Sequence, residues 1–176
     1  MDKRFPTSGN RQPQSRAVPA RERSKREDMR FFHRIRVRFS EVDRQNVVFF
    51  ANYLNYFDIA LTEFCRARDI AALHPQGHEF HVVHASADYL EPLRCDEEID
   101  IALRTERIGT SSVTFRAAIF GSCQHEVKTG GMIVWVLTDQ ATGRSSAIPD
   151  ALREALAGDP DGTNADRANA GTRTYA

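Results

Sequence analysis

Ile35, Val37 and Phe39 alternate with Arg34, Arg36 and Arg38, the period-two pattern of a strand with one wet face, and predict a first strand over 31–39. From Asn52 to about Asp69 the pattern changes. Tyr53, Tyr56, Phe57, Ala60, Leu61, Phe64 and Cys65 recur at spacings of three and four with no Gly or Pro between them, as one stripe of a helix requires. A long helix is predicted there, with Asn52 as its cap. After a His/Pro/Gly loop at 73–78, four β-rich runs follow near 79–90, 97–108, 111–122 and 126–138. The turn signals Pro92, Gly109-Thr110 and Ser122-Cys123 separate them. Short links imply antiparallel, meander-like pairing. Ile148-Pro149-Asp150 then opens a short terminal helix over 150–157. The order β-α-β-β-β-β-α predicts an α+β fold with the long helix packed on one face of an antiparallel sheet.

The two ends lack this periodicity. Residues 1–30 are rich in Pro, Ser, Gln and Arg, a composition that cannot repay the entropy of ordering, and they are expected to form a disordered basic arm. Residues 157–176 read as a disordered tail, which leaves 31–156 as one folded domain. Of the 176 residues, 24 are Lys or Arg and 24 Asp or Glu. The arm holds nine of the bases and four of the acids, so it is +5 and the remainder −5. That balance speaks against a protein that blankets nucleic acid or an anionic membrane. The acids at 22, 27 and 28 also weaken a transit-peptide or nucleic-acid reading of the arm. No window is apolar enough to span a membrane, and no apolar secretory core precedes the domain. Cys65, Cys95 and Cys123 are widely spaced and odd in number, which fits reduced thiols in a cytoplasm.

The segment that carries chemistry is Ser40 to Tyr53, joining the first strand to the long helix. Val47 to Phe50 is too hydrophobic for a solvated loop, so the segment should fold back on the core and carry Asp43 into a partly enclosed site. The unpaired amides and dipole of a helix N-terminus favour a nearby carboxylate. The same amides can polarise a carbonyl oxygen. An acid and an amide converging on one point is the minimum for acyl-transfer hydrolysis.

Read as Asp43-Arg44-Gln45-Asn46-Val47-Val48-Phe49-Phe50-Ala51-Asn52-Tyr53-Leu54, this segment resembles the acidic signature D-x-x-G-x-V-(aromatic)-(aromatic)-x-N-Y-L of hot-dog-fold acyl-CoA thioesterases of the 4-hydroxybenzoyl-CoA thioesterase type. Thr62-Glu63-Phe64 also looks like the family's helix, and the resemblance runs over nearly all of 33–138. Asn46 replaces the usual Gly, and Asn is the side chain most tolerant of positive φ. The resemblance implies a five-stranded antiparallel sheet wrapped around one central helix, in a homodimer or homotetramer with active sites at the subunit interface. It places Asp43 at the position of the catalytic carboxylate and Phe50 where the backbone N–H binds the thioester oxygen.

Plainer readings stand beside these. Asp43 could cap a neighbouring turn, and Asn52 is better read as a helix cap than as a substrate contact. Glu41 and Glu63 match no family catalytic position and read as solvated or structural. His78, His81 and His84 are spaced by three, so on a strand consecutive members face opposite ways and cannot converge on a metal; no metal and no cofactor are expected, coenzyme A being part of the substrate. There is no G-x-S-x-G elbow, and Ser40 has no evident histidine partner. The turn Arg107-Ile108-Gly109-Thr110-Ser111-Ser112 lacks the basic cluster that holds coenzyme A phosphates in some relatives, so an acyl-carrier-protein thioester stays open as the substrate. The resulting expectation is a thioester hydrolase acting on acyl-CoA or acyl-carrier protein. The alternatives are a dehydratase or isomerase on the same fold, or a non-catalytic acyl-thioester-binding module.

Overall fold

The computed structural model describes residues 24–158. Strands β1 (Phe31–Arg36), β2 (His78–Tyr89), β3 (Glu98–Ile108), β4 (Ser112–Gly121) and β5 (Val127–Asp139) are joined with helices α1 (Asn52–Ala67), α2 (Ile70–Leu73) and α3 (Asp150–Ala157). All five strands pair antiparallel in one sheet, in the order β1-β3-β4-β5-β2.

The stripe on α1 does what its spacing predicts. Tyr53, Tyr56, Phe57, Ala60, Leu61 and Phe64 are buried against the inward residues of β3 and β4, among them Ile99, Ile101, Leu103, Phe115 and Ile119. Burying each large side chain contributes about 1.5–3 kcal/mol. Phe64 sits edge-on between Phe31 and Phe115, at ring separations of 5.7 and 5.5 Å. The helix approaches β5 so closely that a Cβ at Gly131 would lie 2.5 Å from the Phe57 ring and from the Ser86 carbonyl oxygen. Only glycine fits that contact.

Four local features depart from the pattern. β1 ends at Arg36, because residues 39–41 wind into a 3-10 turn closed by the Glu41 N–H bond to the Arg38 carbonyl; Phe39 is thereby turned out to 83% exposure. α1 stops at Ala67 because Asp69 adopts a left-handed conformation, φ 50°, which resets the chain for α2 and buries Ile70. The meander holds for β3-β4-β5 only. β2 lies on the far edge beside β5, since the connection 90–97 leaves that edge, sinks Leu93 fully into the core and binds the 47–48 segment through the Val48 N–H bond to the Leu93 carbonyl.

The fourth departure concerns the basic arm. Residues 1–23 and 159–176 lie outside the described residues, but 24–30 are ordered on the outer face of the sheet, which moves the boundary expected at residue 31. Met29 is buried with Ala102, Ala118, Phe120 and Val127. Arg26 stacks over the Phe32 and Phe120 rings and pairs at 2.6 Å with Asp100, which also takes Arg34 at 2.7 Å. Composition hides this docking, because one methionine and one arginine carry it. Burial by itself would raise the Asp100 carboxyl, yet the hydrogen bonds from Arg34 and Arg26 outweigh it and hold it below the usual range.

A carboxylate depressed in the folded state stabilises at pH above its unfolded value and loses that contribution as pH falls through the folded one. Asp100→Asn should therefore lower unfolding free energy by about 2 kcal/mol at neutral pH, below the loss for a fully buried pair because Arg34 reaches solvent. In denaturant titrations the gap between wild type and variant should close as pH drops from about 4 toward 2.

Candidate functional site

Glu41 fixes the segment between β1 and α1. Its carboxylate is buried to 9% exposure and accepts the Arg38 N–H at 2.8 Å, the Arg38 guanidinium at 2.6 and 2.8 Å, and the Tyr56 hydroxyl at 2.8 Å. Desolvation would raise its pKa, and these donors more than reverse that. Tyr56 in turn is pushed up, by burial first and then by its bond to Glu41. The Glu41 backbone carbonyl accepts both the Phe49 N–H and the Asn52 Nδ2, each at 2.9 Å. Glu41 is thus structural, one of the two readings open for it, while Glu63 pairs with Arg66 on the surface of α1.

Between these anchors the chain makes a tight hairpin, with Val42 bridged to Val48. The Asp43 N–H donates to the Val47 carbonyl and the Asn46 N–H to the Asp43 carbonyl. Asn46 takes φ 58°, the left-handed value that Gly would supply in the signature. Asp43 Oδ1 accepts the Gln45 N–H at 2.7 Å, an Asx turn. The turn-capping reading of Asp43 is therefore present at one oxygen, and the donor is its own turn rather than the helix amides. Oδ2 accepts no hydrogen bond from the described residues.

The apolar run behaves unevenly. Val48 is buried, whereas Phe49 and Phe50 stay 44% and 63% exposed, their rings in tilted contact at 4.5 Å. The Asn52 N–H closes the helix-entry turn on the Phe49 carbonyl at 2.9 Å. The Phe50 N–H donates to none of the described residues. Asn52 itself is not the cap: it is the first helical residue, Ala51 precedes it without a side-chain cap bond, and the Asn52 amide instead braces the loop through Glu41 and accepts Asn55 Nδ2 at 3.1 Å. A side chain that can reach back to the preceding loop serves either role, so spacing alone could not choose.

Asp43 and Phe50 line one open cleft of about 370 Å³, together with Val47, Val48, Tyr53, Tyr89, Leu90, Glu91 and Pro92. Asn52 is not among its lining residues. The far wall, Tyr89 to Pro92, comes from the end of β2 and the link after it; its signal in the sequence was only an apolar pair before a proline. Tyr53 packs edge-on to Tyr89 at 4.9 Å, and its hydroxyl accepts the Leu93 N–H at 3.2 Å. Burial raises the Tyr53 pKa. The arrangement places a carboxylate and an amide without a partner among the described residues on two residues that line one cleft.

A β-bulge between Val82 and His84 pairs His81 with Val136 and His84 with Val134, which puts these two histidines on the same face, not on opposite faces as a regular strand would. His81 Nε2 meets Gln140 Nε2 at 2.9 Å. Among the described residues no group of three His, Cys, Asp or Glu is placed to hold a metal, and no helix is long and apolar enough to cross a membrane. Cys65 is a partly buried thiol pushed up to about 11 by desolvation, the opposite of an activated nucleophile.

Residues 45–128 match the model of the thioesterase superfamily. The PA5185 protein of Pseudomonas aeruginosa is 31% identical, with a TM-score of 0.68 over 75% of this chain and 92% of that one. The AQ1494 protein of Aquifex aeolicus is 26% identical, with a TM-score of 0.65 over 72% and 98%. Slr0204 of Synechocystis, a 1,4-dihydroxy-2-naphthoyl-CoA thioesterase, shares the fold at 16% identity and a TM-score of 0.65, over 72% and 94%.

The turn at Asn46 yields a stability test. Asn46→Gly should leave the unfolding midpoint nearly unchanged, whereas Asn46→Val, which must hold a β-branched residue at positive φ, should cost about 1–3 kcal/mol by chemical denaturation.

Proposed function

Since the chain belongs to the thioesterase superfamily and has its hot-dog fold, we propose that it hydrolyses an acyl thioester, carried on coenzyme A or on acyl-carrier protein, with Asp43 and the Phe50 N–H as its catalytic groups. The observation that carries this reading is the pairing within one cleft of a carboxylate oxygen and a backbone amide that have no other partner among the described residues. The thioester carbonyl oxygen accepts the Phe50 N–H. Asp43 either takes a proton from an attacking water or attacks the carbonyl carbon itself, and water then cleaves the resulting anhydride. On both routes the C–S bond breaks, water supplies the new C–O bond and its protons, and a free acid and a free thiol leave. On this reading the charge that develops on the carbonyl oxygen is met by the Phe50 N–H, which then binds the transition state more strongly than the ground state.

The cleft is open, and its lining includes exposed Phe49, Phe50, Tyr89 and Leu90, while the adjoining edge strand β2 exposes Val82 and Val83 at 59% each. A second copy of the chain pairing along that edge would close the site and cover the edge. The assembly we propose is a homodimer, or a tetramer of such dimers. Sedimentation should give about twice the 19.9 kDa chain mass, or four times it; a monomer hydrolysing at full rate would mean that the pocket needs no partner.

Thiol release from a panel of short, long and aromatic acyl-CoA esters tests the activity. Asp43→Asn keeps the shape and the Gln45 bond acceptor but removes the anion. Turnover should fall by about a hundredfold or more, with an unchanged thermal transition. A folded Asn variant with wild-type turnover would overturn the assignment.

A further inference from the structure

The Phe50 amide is useful only if it keeps its direction, and little packing holds it there. Its side chain is 63% exposed, and its ring meets the neighbouring Phe49 ring at 4.5 Å. Two hydrogen bonds fix the peptide groups on either side of its Cα. The Phe49 carbonyl, coplanar with the Phe50 N–H, accepts the Asn52 N–H at 2.9 Å. The Phe50 carbonyl accepts the Tyr89 hydroxyl at 3.1 Å. The first bond comes from the entry turn itself; the second comes from the last residue of β2, across the cleft, and ties the turn to the sheet.

We infer that Tyr89 is a positioning residue of this site, its hydroxyl holding the Phe50 peptide so that the N–H keeps its aim at the substrate carbonyl. The inference rests on the reading of Asp43 and Phe50 given above. The ring of Tyr89 is placed independently of the hydroxyl, by its edge-on contact with Tyr53 at 4.9 Å and by the pairing of Tyr89 with Thr129. Tyr89→Phe therefore removes the restraint without emptying the wall of the cleft. A free rotation of the Phe50 carbonyl lets the adjoining amide sample directions that miss the oxygen, and that loss is felt in the transition state, where the oxygen bears its charge.

The test is steady-state kinetics of Tyr89→Phe and Tyr89→Leu beside Asp43→Asn, with an acyl-CoA that the wild type cleaves. Tyr89→Phe should lower kcat about tenfold with KM within about twofold and an unchanged thermal transition. Tyr89→Leu, which also loses the ring, should lower kcat as much and raise KM. A Phe variant with wild-type kcat overturns the inference. So does one that changes only KM, which would make the hydroxyl a substrate contact. If Asp43→Asn is inactive and Tyr89→Phe is not impaired, the positioning role alone fails. If Asp43→Asn keeps full turnover, the underlying reading of the site fails and the positioning role falls with it.

Discussion

A buried carboxylate, Glu41, is the constraint on which the rest of the site depends. Its side chain joins the segment just after β1, through Arg38, to the first turns of α1, through Tyr56, and its carbonyl gathers Phe49 and Asn52. A single residue thereby sets where the helix begins relative to the sheet. Breaking one partner of such a group leaves an uncompensated charge in a poorly hydrated place, which is far costlier than the net worth of the pair. The hairpin bearing Asp43 and the turn bearing Phe50 hang from this point on either side, so their mutual placement follows from it.

Helix α1 supplies the second half of the arrangement. Its buried aromatic face is wide and continuous, and the close approach at Gly131 leaves no room for the helix to slide along the sheet. A rigid helix seated in that way presents its first turn at a fixed height above the ends of β2 and the 90–97 link. The cleft forms where the helix entry, the end of β2 and that link meet.

Much of the fold was legible from local signals. The stripe from Tyr53 to Phe64 and the alternation in β1 follow from spacing, the later strands from β-rich runs between turn residues, and the helix at 150–157 from its Pro-Asp start; the positive φ of Asn46 follows from the glycine that the family signature carries there, which Asn can replace. What stayed hidden depends on single long-range contacts. Nothing local distinguishes Asn52 as a brace from Asn52 as a cap, because the deciding partner, the Glu41 carbonyl, lies eleven residues away. The bulge at 82–84, which brings His81 and His84 to one face, is a product of strand pairing and leaves no mark on the alternation. The far wall of the cleft was invisible for a related reason: the sequence shows Tyr89 and Pro92 at the end of a strand, and only the sheet order brings that strand end beside the helix entry.

The ordered strap at 24–30 bears on how the domain can be handled. It lays Met29 over Ala102, Ala118 and Phe120, and Arg26 over Asp100. An expression fragment starting at Phe31 would lack both. It would uncover an apolar strip on the outer face of the sheet and strand a carboxylate beside it with only one of its two guanidiniums. Such a fragment would carry every residue of the cleft yet be the stickier protein, prone to self-association through a face that the longer chain keeps sealed.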